Sequence, residues 1–187
     1  MLQFGVRLEP KGVQRFGQKL QRYIDSVRTQ SRNGVQEAAD MYCQIVISHM
    51  GEHTGNEMVF SDTWWKALSE KWLNIKKSQG LVEEIWEATG ETKGYVQVHS
   101  AQKTADGWSI FAGLQGVPLD VLRKALENEF GSEVLESTGM TMHIVPARPL
   151  FEPAKWEILH SPAHRRMLVT FFAKALKRGY EVYAHGR

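Results

Sequence analysis

Residues 125–131 read ALENEFG, and after a polar interval residues 144–154 read IVPARPLFEPA. In the first segment, Leu126 and Phe130 are spaced to lie on one side of a helix. Gly131 comes next, and glycine is the usual residue just past a helix end. The pattern predicts a helix that ends at Phe130.

Three prolines divide the second segment into short steps. Each lacks a backbone N–H group and disfavours helical geometry in the residue before it: Pro146, Pro149 and Pro153. Between them lie one guanidinium, Arg148, and two large apolar residues, Leu150 and Phe151. The sequence therefore predicts a rigid extended strap lying across a surface, which suits a structural role better than catalysis.

Arg148 has prolines on both sides, and its guanidinium can bind a carboxylate through two parallel hydrogen bonds. The carboxylate could belong to the same subunit, so that Arg148 clips the strap to its own domain. It could equally belong to a neighbouring subunit, so that Arg148 is a ring contact. The sequence leaves both interpretations open.

The acidic-Phe-Gly turn followed by the Pro-Ala-Arg-Pro strap resembles the neck or tail-completion proteins of long-tailed bacteriophages. These are also described as head–tail joining or virion-morphogenesis proteins. Upstream, Trp64, Trp65 and Leu68 open a lysine-rich helix that ends near Gly80. An Ala-Thr-Gly segment at residues 88–90 and a hairpin follow, as in the family pattern.

The resemblance spans roughly residues 12–178 and implies a structural virion protein rather than an enzyme, with no cofactor. It implies a homo-oligomeric ring, commonly of six or twelve copies, in the virion neck, assembled in the host cytoplasm. The implied partners are further copies of the chain, portal or adaptor proteins, and tail terminator or tail tube proteins. Phage DNA would pass through the channel without sequence-specific contact, so we expect a weakly charged or acidic lumen.

The composition agrees with one globular domain and excludes few classes of protein. The chain has 187 residues, of which 42% are hydrophobic and 24% are charged. The net charge of +2 is too small to predict nucleic-acid binding from bulk electrostatics. Cys43 is the single cysteine, so no intramolecular disulfide can form, which is compatible with a reducing cytoplasm. We expect neither a membrane span nor a signal peptide.

The N-terminal third is predicted to be an arm followed by helix. Apolar residues alternate in residues 1–10, which indicates a half-buried strand or an arm added to a neighbour's sheet. Residues 11–31 carry apolar residues at helical spacing, Asn33-Gly34 interrupts them, and a second helical face runs to about Met50. Whether this is one bent helix or two packed helices stays open.

The middle of the chain is predicted to hold a loop, a helix and a hairpin. Residues 51–60 are polar, and Ser61 suits the N-cap of a helix that continues to Gly80. Residues 81–86 fit a helix or a strand. Two β-rich segments, 95–100 and 108–114, predict an antiparallel hairpin.

The last third is predicted to contain two more helices. Pro118 suits the first turn of the helix that ends at Phe130, residues 132–142 form an irregular loop, and residues 142–145 fit a short strand that leads into the strap. A final helix begins at Ser161-Pro162 and ends at Gly179, which leaves a tail at 180–187 that is mobile or held by a partner. The predicted class is α+β, with four to five helices on a small, mostly antiparallel sheet in a single domain, 11–179.

The predicted contact residues come from three exposed segments, the N-terminal strand, the hairpin tip and the strap. Subunit or partner contacts are predicted at Phe4, Val6, Leu8, Lys103, Asp106, Arg148, Leu150 and Phe151. Structural motif positions are predicted at Trp64, Trp65, Thr89, Gly90, Phe130, Gly131, Pro146, Pro149 and Pro153.

Two alternatives belong to other classes of function. The first is a single-stranded nucleic-acid-binding module, in which Trp64 and Trp65 stack on bases beside the lysines of the same helix. The second is a small metal-dependent hydrolase, because His49 and His53 lie four residues apart. The low net charge argues against the first, and Gly51 between the two histidines argues against the second.

The remaining titratable residues favour ordinary structural roles. Cys43 lacks a partner at a known catalytic spacing, so a buried core cysteine is favoured. Asp62 and the pair Glu83-Glu84 are favoured as solvated carboxylates. His160 and His164 are favoured as a surface pair, because Pro162 separates them.

Overall fold

The structure is a computed structural model that describes residues 10–50, 53, 55–60, 63–81, 83, 85–86, 91–105, 107–135 and 142–185. Within these residues it is mostly helical, with six helices and four two-stranded antiparallel sheets. The α+β class is confirmed, but the described helices number six rather than four to five. The helices are α1 (Pro10–His49), α2 (Glu70–Ser78), α3 (Glu91–Tyr95), α4 (Leu119–Phe130), α5 (Phe151–His160) and α6 (Pro162–His185). The strands are β1 (Glu57–Phe60), β2 (Thr63–Trp65), β3 (Val96–Val98), β4 (Gln102–Lys103), β5 (Trp108–Ser109), β6 (Ala112–Leu114), β7 (Ser132–Leu135) and β8 (Met142–Val145).

The predicted interruption at Asn33-Gly34 does not occur, because α1 is one helix of 40 residues. Gly34 is instead a position on α1 that α6 approaches closely. A Cβ atom at Gly34 would lie 3.0 Å from Phe172 Cδ1, and one at Gly179 would lie 2.9 Å from the Cα of Val27. The two helices run antiparallel, and their glycines let the backbones approach closely.

The predicted end of the last helix at Gly179 is wrong. Helix α6 continues to His185, and Gly179 is buried within it against α1. The hydroxyl of Ser26 also donates a 2.7 Å hydrogen bond to the Gly179 carbonyl. This glycine serves helix–helix packing instead of ending the helix, so residues 180–185 belong to α6.

The helix predicted from Ser61 begins later, and residues 57–60 are not a loop, because strands β1 (57–60) and β2 (63–65) pair antiparallel. Trp64 is exposed and Trp65 is fully buried, which is the alternation of a strand. Helix α2 starts at Glu70, and the Ser69 side chain accepts a hydrogen bond from the Trp72 N–H. Its predicted end is confirmed by Gly80, which has a φ of 65°.

The predicted antiparallel hairpin is confirmed. Strand β3 pairs with β6, and β4 pairs with β5 nearer the tip. The hairpin also contacts α1, since the Trp108 indole donates a 2.6 Å hydrogen bond to the Arg28 carbonyl. Lys103 lies on the exposed strand β4.

The short strand predicted at residues 142–145 is β8, and the interval before it is more regular than predicted, because residues 132–135 form β7, paired antiparallel with β8. The extended strap is shorter than predicted. It ends at Leu150, and Pro153 lies in the first turn of α5, where its missing N–H group has no helical partner to lose.

The core lies between the C-terminal half of α1, the β1–β2 hairpin and the strap. The largest fully buried side chains are Val46, Met50, Trp65, Ile85 and Leu150. The first turns of α1 lie outside this core. No described helix is both long and apolar enough to cross a membrane.

Several predictions concern positions outside the described residues. They are Phe4, Val6 and Leu8 of the N-terminal strand, Ser61 and Asp62 at the predicted helix start, Thr89 and Gly90 of the motif, and Asp106 at the hairpin tip.

Candidate functional site

Arg148 is 3% exposed, and its guanidinium lies inside the domain. Its Nε donates to the Lys66 carbonyl at 2.7 Å, its Nη2 to the Ala67 carbonyl at 3.1 Å, and its Nη1 to the Pro146 carbonyl at 3.5 Å. These acceptors are backbone carbonyls of the same chain, whereas the sequence suggested a carboxylate. Arg148 therefore clips the strap to the segment that follows β2, which is the intramolecular interpretation.

Glu129, near the end of α4, holds the other side of the strap. Its Oε2 accepts hydrogen bonds from the N–H groups of Leu150 at 2.8 Å and Phe151 at 3.2 Å. Its Oε1 accepts from the Glu152 N–H at 3.3 Å. These N–H groups open α5 and have no helical partners, so a carboxylate there caps the helix and favours its positive end.

Three aromatic side chains complete the hydrogen bonding of the strap backbone. Trp86 Nε1 donates to the Arg148 carbonyl at 2.9 Å, and Trp65 Nε1 donates to the Pro149 carbonyl at 2.9 Å. The Tyr42 hydroxyl donates to the Phe151 carbonyl at 3.1 Å. We call this set of residues, with Arg148 and Glu129, the strap clamp.

Gly131 explains the acidic-Phe-Gly turn. Its φ is 72°, and a Cβ atom there would lie 2.8 Å from the Val145 carbonyl oxygen and 2.9 Å from the Ala147 nitrogen. A side chain would therefore collide with the backbone that enters the strap. Glu129 and Gly131 together attach α4 to both ends of the strap.

The strap clamp offers structure and little reactivity. Burial lowers the pKa of Arg148 and raises that of the Tyr42 hydroxyl, with Glu129 raising the latter further. Tyr42 is therefore neutral at physiological pH, and every charge in the clamp is used in a hydrogen bond. Arg148 and Leu150 lie inside the domain in this conformation, so their side chains are not exposed to a second chain.

The two histidines of the metal hypothesis do meet. His49 Nδ1 lies 3.0 Å from His53 Nε2, and the rings stack with centroids 5.2 Å apart. His53 Nδ1 lies 3.3 Å from Glu57 Oε1, outside hydrogen-bond geometry. Within the part of the chain that the structure describes, no group of three histidine, cysteine or acidic side chains is arranged to hold a metal ion.

The predictions for the other titratable residues have mixed outcomes. Cys43 is confirmed as a buried core cysteine, and burial, followed by Asp40, raises the pKa of its thiol. Such a thiol is a poor nucleophile at neutral pH. Of the predicted surface pair, His160 is exposed at the end of α5, whereas His164 on α6 is half-buried, with its Nδ1 3.7 Å from Glu157 Oε1.

The first four turns of α1, residues 10–25, form what we call the α1 arm. All sixteen residues are exposed, although the arm carries large apolar side chains on one face. Phe16 is 68% exposed, and Val13 and Leu20 are about half exposed. At 1.5 Å per residue the arm is about 24 Å long. Side chains of this kind normally pack against another element.

A second apolar face lies on α4. The helix buries Val121 and Ala125 against the domain and presents other apolar side chains outward. Leu119 is 81% exposed and Phe130 is 74% exposed. With Leu122 and Leu126 they line an open groove of about 480 Å³, flanked by Arg123 and Glu127, which we call the α4 groove.

Charge is divided between two parts of the chain. Helices α1 and α6 together carry 11 Lys or Arg residues and 4 Asp or Glu residues. The whole chain carries 23 and 21, so the remainder has 12 basic and 17 acidic residues. The small net charge of +2 therefore conceals a basic helical pair and an acidic remainder.

The sequence did not indicate these sites equally. Glu129 was visible only as part of a motif, and its capping role depends on a contact more than twenty residues along the chain. The apolar stripe of α1 was predicted, but its exposure was not. Comparison with protein-family models, with curated proteins and with solved structures gave no match.

Proposed function

We propose that this chain is a structural protein of a tailed-phage virion, a subunit of a ring in the neck that joins the portal or adaptor to the tail. In this role it performs no catalysis and acts through contacts with copies of itself and with neighbouring neck and tail proteins. The proposal rests on the family resemblance of the strap and on one structural observation, the exposed α1 arm.

The α1 arm supports assembly because it is unfavourable as a free surface. A helix of about 16 residues is marginal in water without tertiary packing. Fully burying a Val, Leu or Phe side chain contributes about 1.5–3 kcal/mol, so covering the half-exposed Val13, Phe16 and Leu20 would contribute a few kcal/mol. A neighbouring subunit is the natural source of that cover in a ring.

The division of charge also bears on the channel. DNA must slide through a neck ring, and strong contacts between Lys or Arg and phosphate would hold it. We therefore expect the acidic remainder of the chain to line the lumen and the basic α1–α6 pair to face away from it. This keeps the expectation of a weakly charged or acidic lumen.

The test is the assembly state of the full chain. We expect light scattering and electron microscopy of the purified protein, alone and with the portal complex, to show closed rings. Antibody labelling of intact virions should place it in the neck. A chain that stays monomeric with the portal complex and copurifies with no virion would overturn the proposal.

A second candidate, single-stranded nucleic-acid binding, is favoured by two exposed indoles. Trp64 on β2 is 60% exposed and Trp72 on α2 is 55% exposed, with the exposed Lys66 and Lys71 nearby in sequence. Trp65 is buried, so the adjacent pair does not form a two-ring platform. This candidate predicts salt-dependent binding to an oligonucleotide that Trp72→Ala weakens and Trp156→Ala, on α5, leaves unchanged.

A further inference from the structure

We infer that the α1 arm of one subunit docks in the α4 groove of a second copy of this chain. The inference rests on the proposed ring and names the contact that would hold adjacent subunits together.

The arm continues an interface that already exists within the chain. Val13, Phe16, Leu20, Tyr23 and Val27 follow one another at alternating spacings of three and four residues, the pattern of a helix-packing seam. Val27 packs against α6 at Gly179, and the Tyr23 ring meets that of Tyr183, with centroids 5.5 Å apart. Helix α6 ends at His185, and the seam runs on along α1 without it. The arm therefore presents a packing face that no described part of its own chain covers.

The α4 groove is a suitable partner because it is also a helical face. Leu119, Leu122, Leu126 and Phe130 recur at spacings of three and four residues, and the opposite face of α4 is buried in its own domain. An amphipathic helix laid on such a surface inserts side chains at those spacings. The arm supplies Phe16 and Leu20 as the central side chains for the groove.

Charge favours this pairing over contact between two arms. The arm carries Lys11, Arg15, Lys19 and Arg22, with Asp25 as its one acidic residue. Two arms packed together would bring eight basic side chains into one small interface, which is repulsive. The edge of the α4 groove carries Arg123 and Glu127, which form an ion pair at 2.9 Å, so an arm docked there meets no such excess of positive charge. An arm–arm pair would also leave both grooves uncovered.

The two faces differ, so the contact is head-to-tail. Each subunit offers one arm and one groove, and such contacts generate a closed ring when the rotation between subunits closes. A ring of this kind requires every subunit to donate and to receive an arm.

The experiment uses two full-length variants that block opposite halves of the contact. Phe16→Glu places a carboxylate on the arm, and Leu126→Glu places one in the groove. Both positions are exposed, so each variant should keep the folded domain, which circular dichroism checks. Alone, each variant should remain monomeric by light scattering where the parent forms oligomers. Mixed together, they should form dimers only, because one intact arm meets one intact groove.

Two variants serve as controls. Gln18→Glu adds the same charge to the polar face of the arm, and Leu159→Glu adds it to a half-exposed apolar position on α5. Both should oligomerise like the parent.

The possible outcomes separate this inference from the proposed function. Rings that persist in Phe16→Glu or Leu126→Glu would overturn the arm–groove contact and leave the ring intact. Oligomers of Leu126→Glu alone, with none from Phe16→Glu, would show an arm–arm contact and would also overturn the inference. A parent chain that is monomeric under all conditions would overturn both.

Discussion

The strap clamp and the α1 arm differ in which side chains they bury: the clamp buries charged side chains, and the arm exposes apolar ones. In the clamp, Arg148 and Glu129 are buried charges whose hydrogen bonds all end within the same chain. In the arm, Phe16 and Leu20 are apolar side chains that lie in solvent. A buried polar network whose hydrogen bonds are all satisfied internally holds the subunit together. An exposed apolar helix face is instead typical of a surface that another chain covers.

This contrast bears on the subunit contacts predicted from the sequence. The strap was one of three segments predicted to contact other subunits, and Arg148 could equally have bound its own domain. The structure places Arg148 and Leu150 inside the domain and leaves the apolar face of the α1 arm exposed. A conspicuous residue such as Arg148 can therefore have a structural role within the subunit and no role in an interface.

Arg148→Ala gives the largest expected effect and the strongest test of the clamp. It removes the donors that satisfy the Lys66 and Ala67 carbonyls and leaves a cavity, so we expect a loss of about 3–5 kcal/mol of unfolding free energy. Urea unfolding measures it. Arg123→Ala is the control, because the exposed Arg123–Glu127 ion pair contributes about 0–1 kcal/mol. Equal losses in the two variants would show that the clamp does not hold the subunit.

Gly179→Ala tests where the folded body ends and the arm begins. The new methyl would lie 2.9 Å from the Val27 Cα, so α1 and α6 must separate, at a cost of about 1–3 kcal/mol. Gly17→Ala is the matched change in the arm, where a Cβ meets nothing within 4 Å. It should raise helicity and stabilise the helix by up to about 0.5–1 kcal/mol. Thermal unfolding followed by circular dichroism measures both, and destabilisation by Gly17→Ala would show that the arm is packed.

The smallest expected effect is a pH dependence that comes from the clamp. Burial raises the pKa of Tyr42 above its ordinary value of 10.0, so the folded state keeps the proton at pH values where the unfolded state loses it. The contribution of Tyr42 to the free energy of unfolding is therefore complete below pH 10 and declines as the pH rises beyond it. Between pH 9 and 11, unfolding free energy should fall less in Tyr42→Phe than in the parent. Parallel pH profiles would contradict a buried Tyr42.

Local patterns predicted the elements with strong periodicity and clear ends. The helix ending at Phe130, the hairpin around Lys103 and the end of α2 near Gly80 were all predicted, because each depends on neighbouring residues. Strand β1 was mistaken for loop and strand β2 for helix, because Trp64 and Trp65 fit a short apolar stripe of either period. The burial of Trp65 under the strap decides that strand, and the strap lies more than eighty residues away.

The two exposed apolar faces, the α1 arm and the α4 groove, were also predicted only in part. The apolar stripe of α1 and that of α4 can be read from spacing, since a helix of 3.6 residues per turn places such side chains on one face. Which part of each stripe stays uncovered depends on where α6 ends and which face of α4 the domain buries.

By itself, the sequence determined the helical stripes, the stops at Gly80 and Gly131 and the rigid proline strap, since these follow from backbone sterics and local periodicity. Only the tertiary structure decided that Arg148 turns inward, that Gly179 lies within a helix and that the α1 arm is left open. Those outcomes depend on contacts between distant residues, which no local pattern contains.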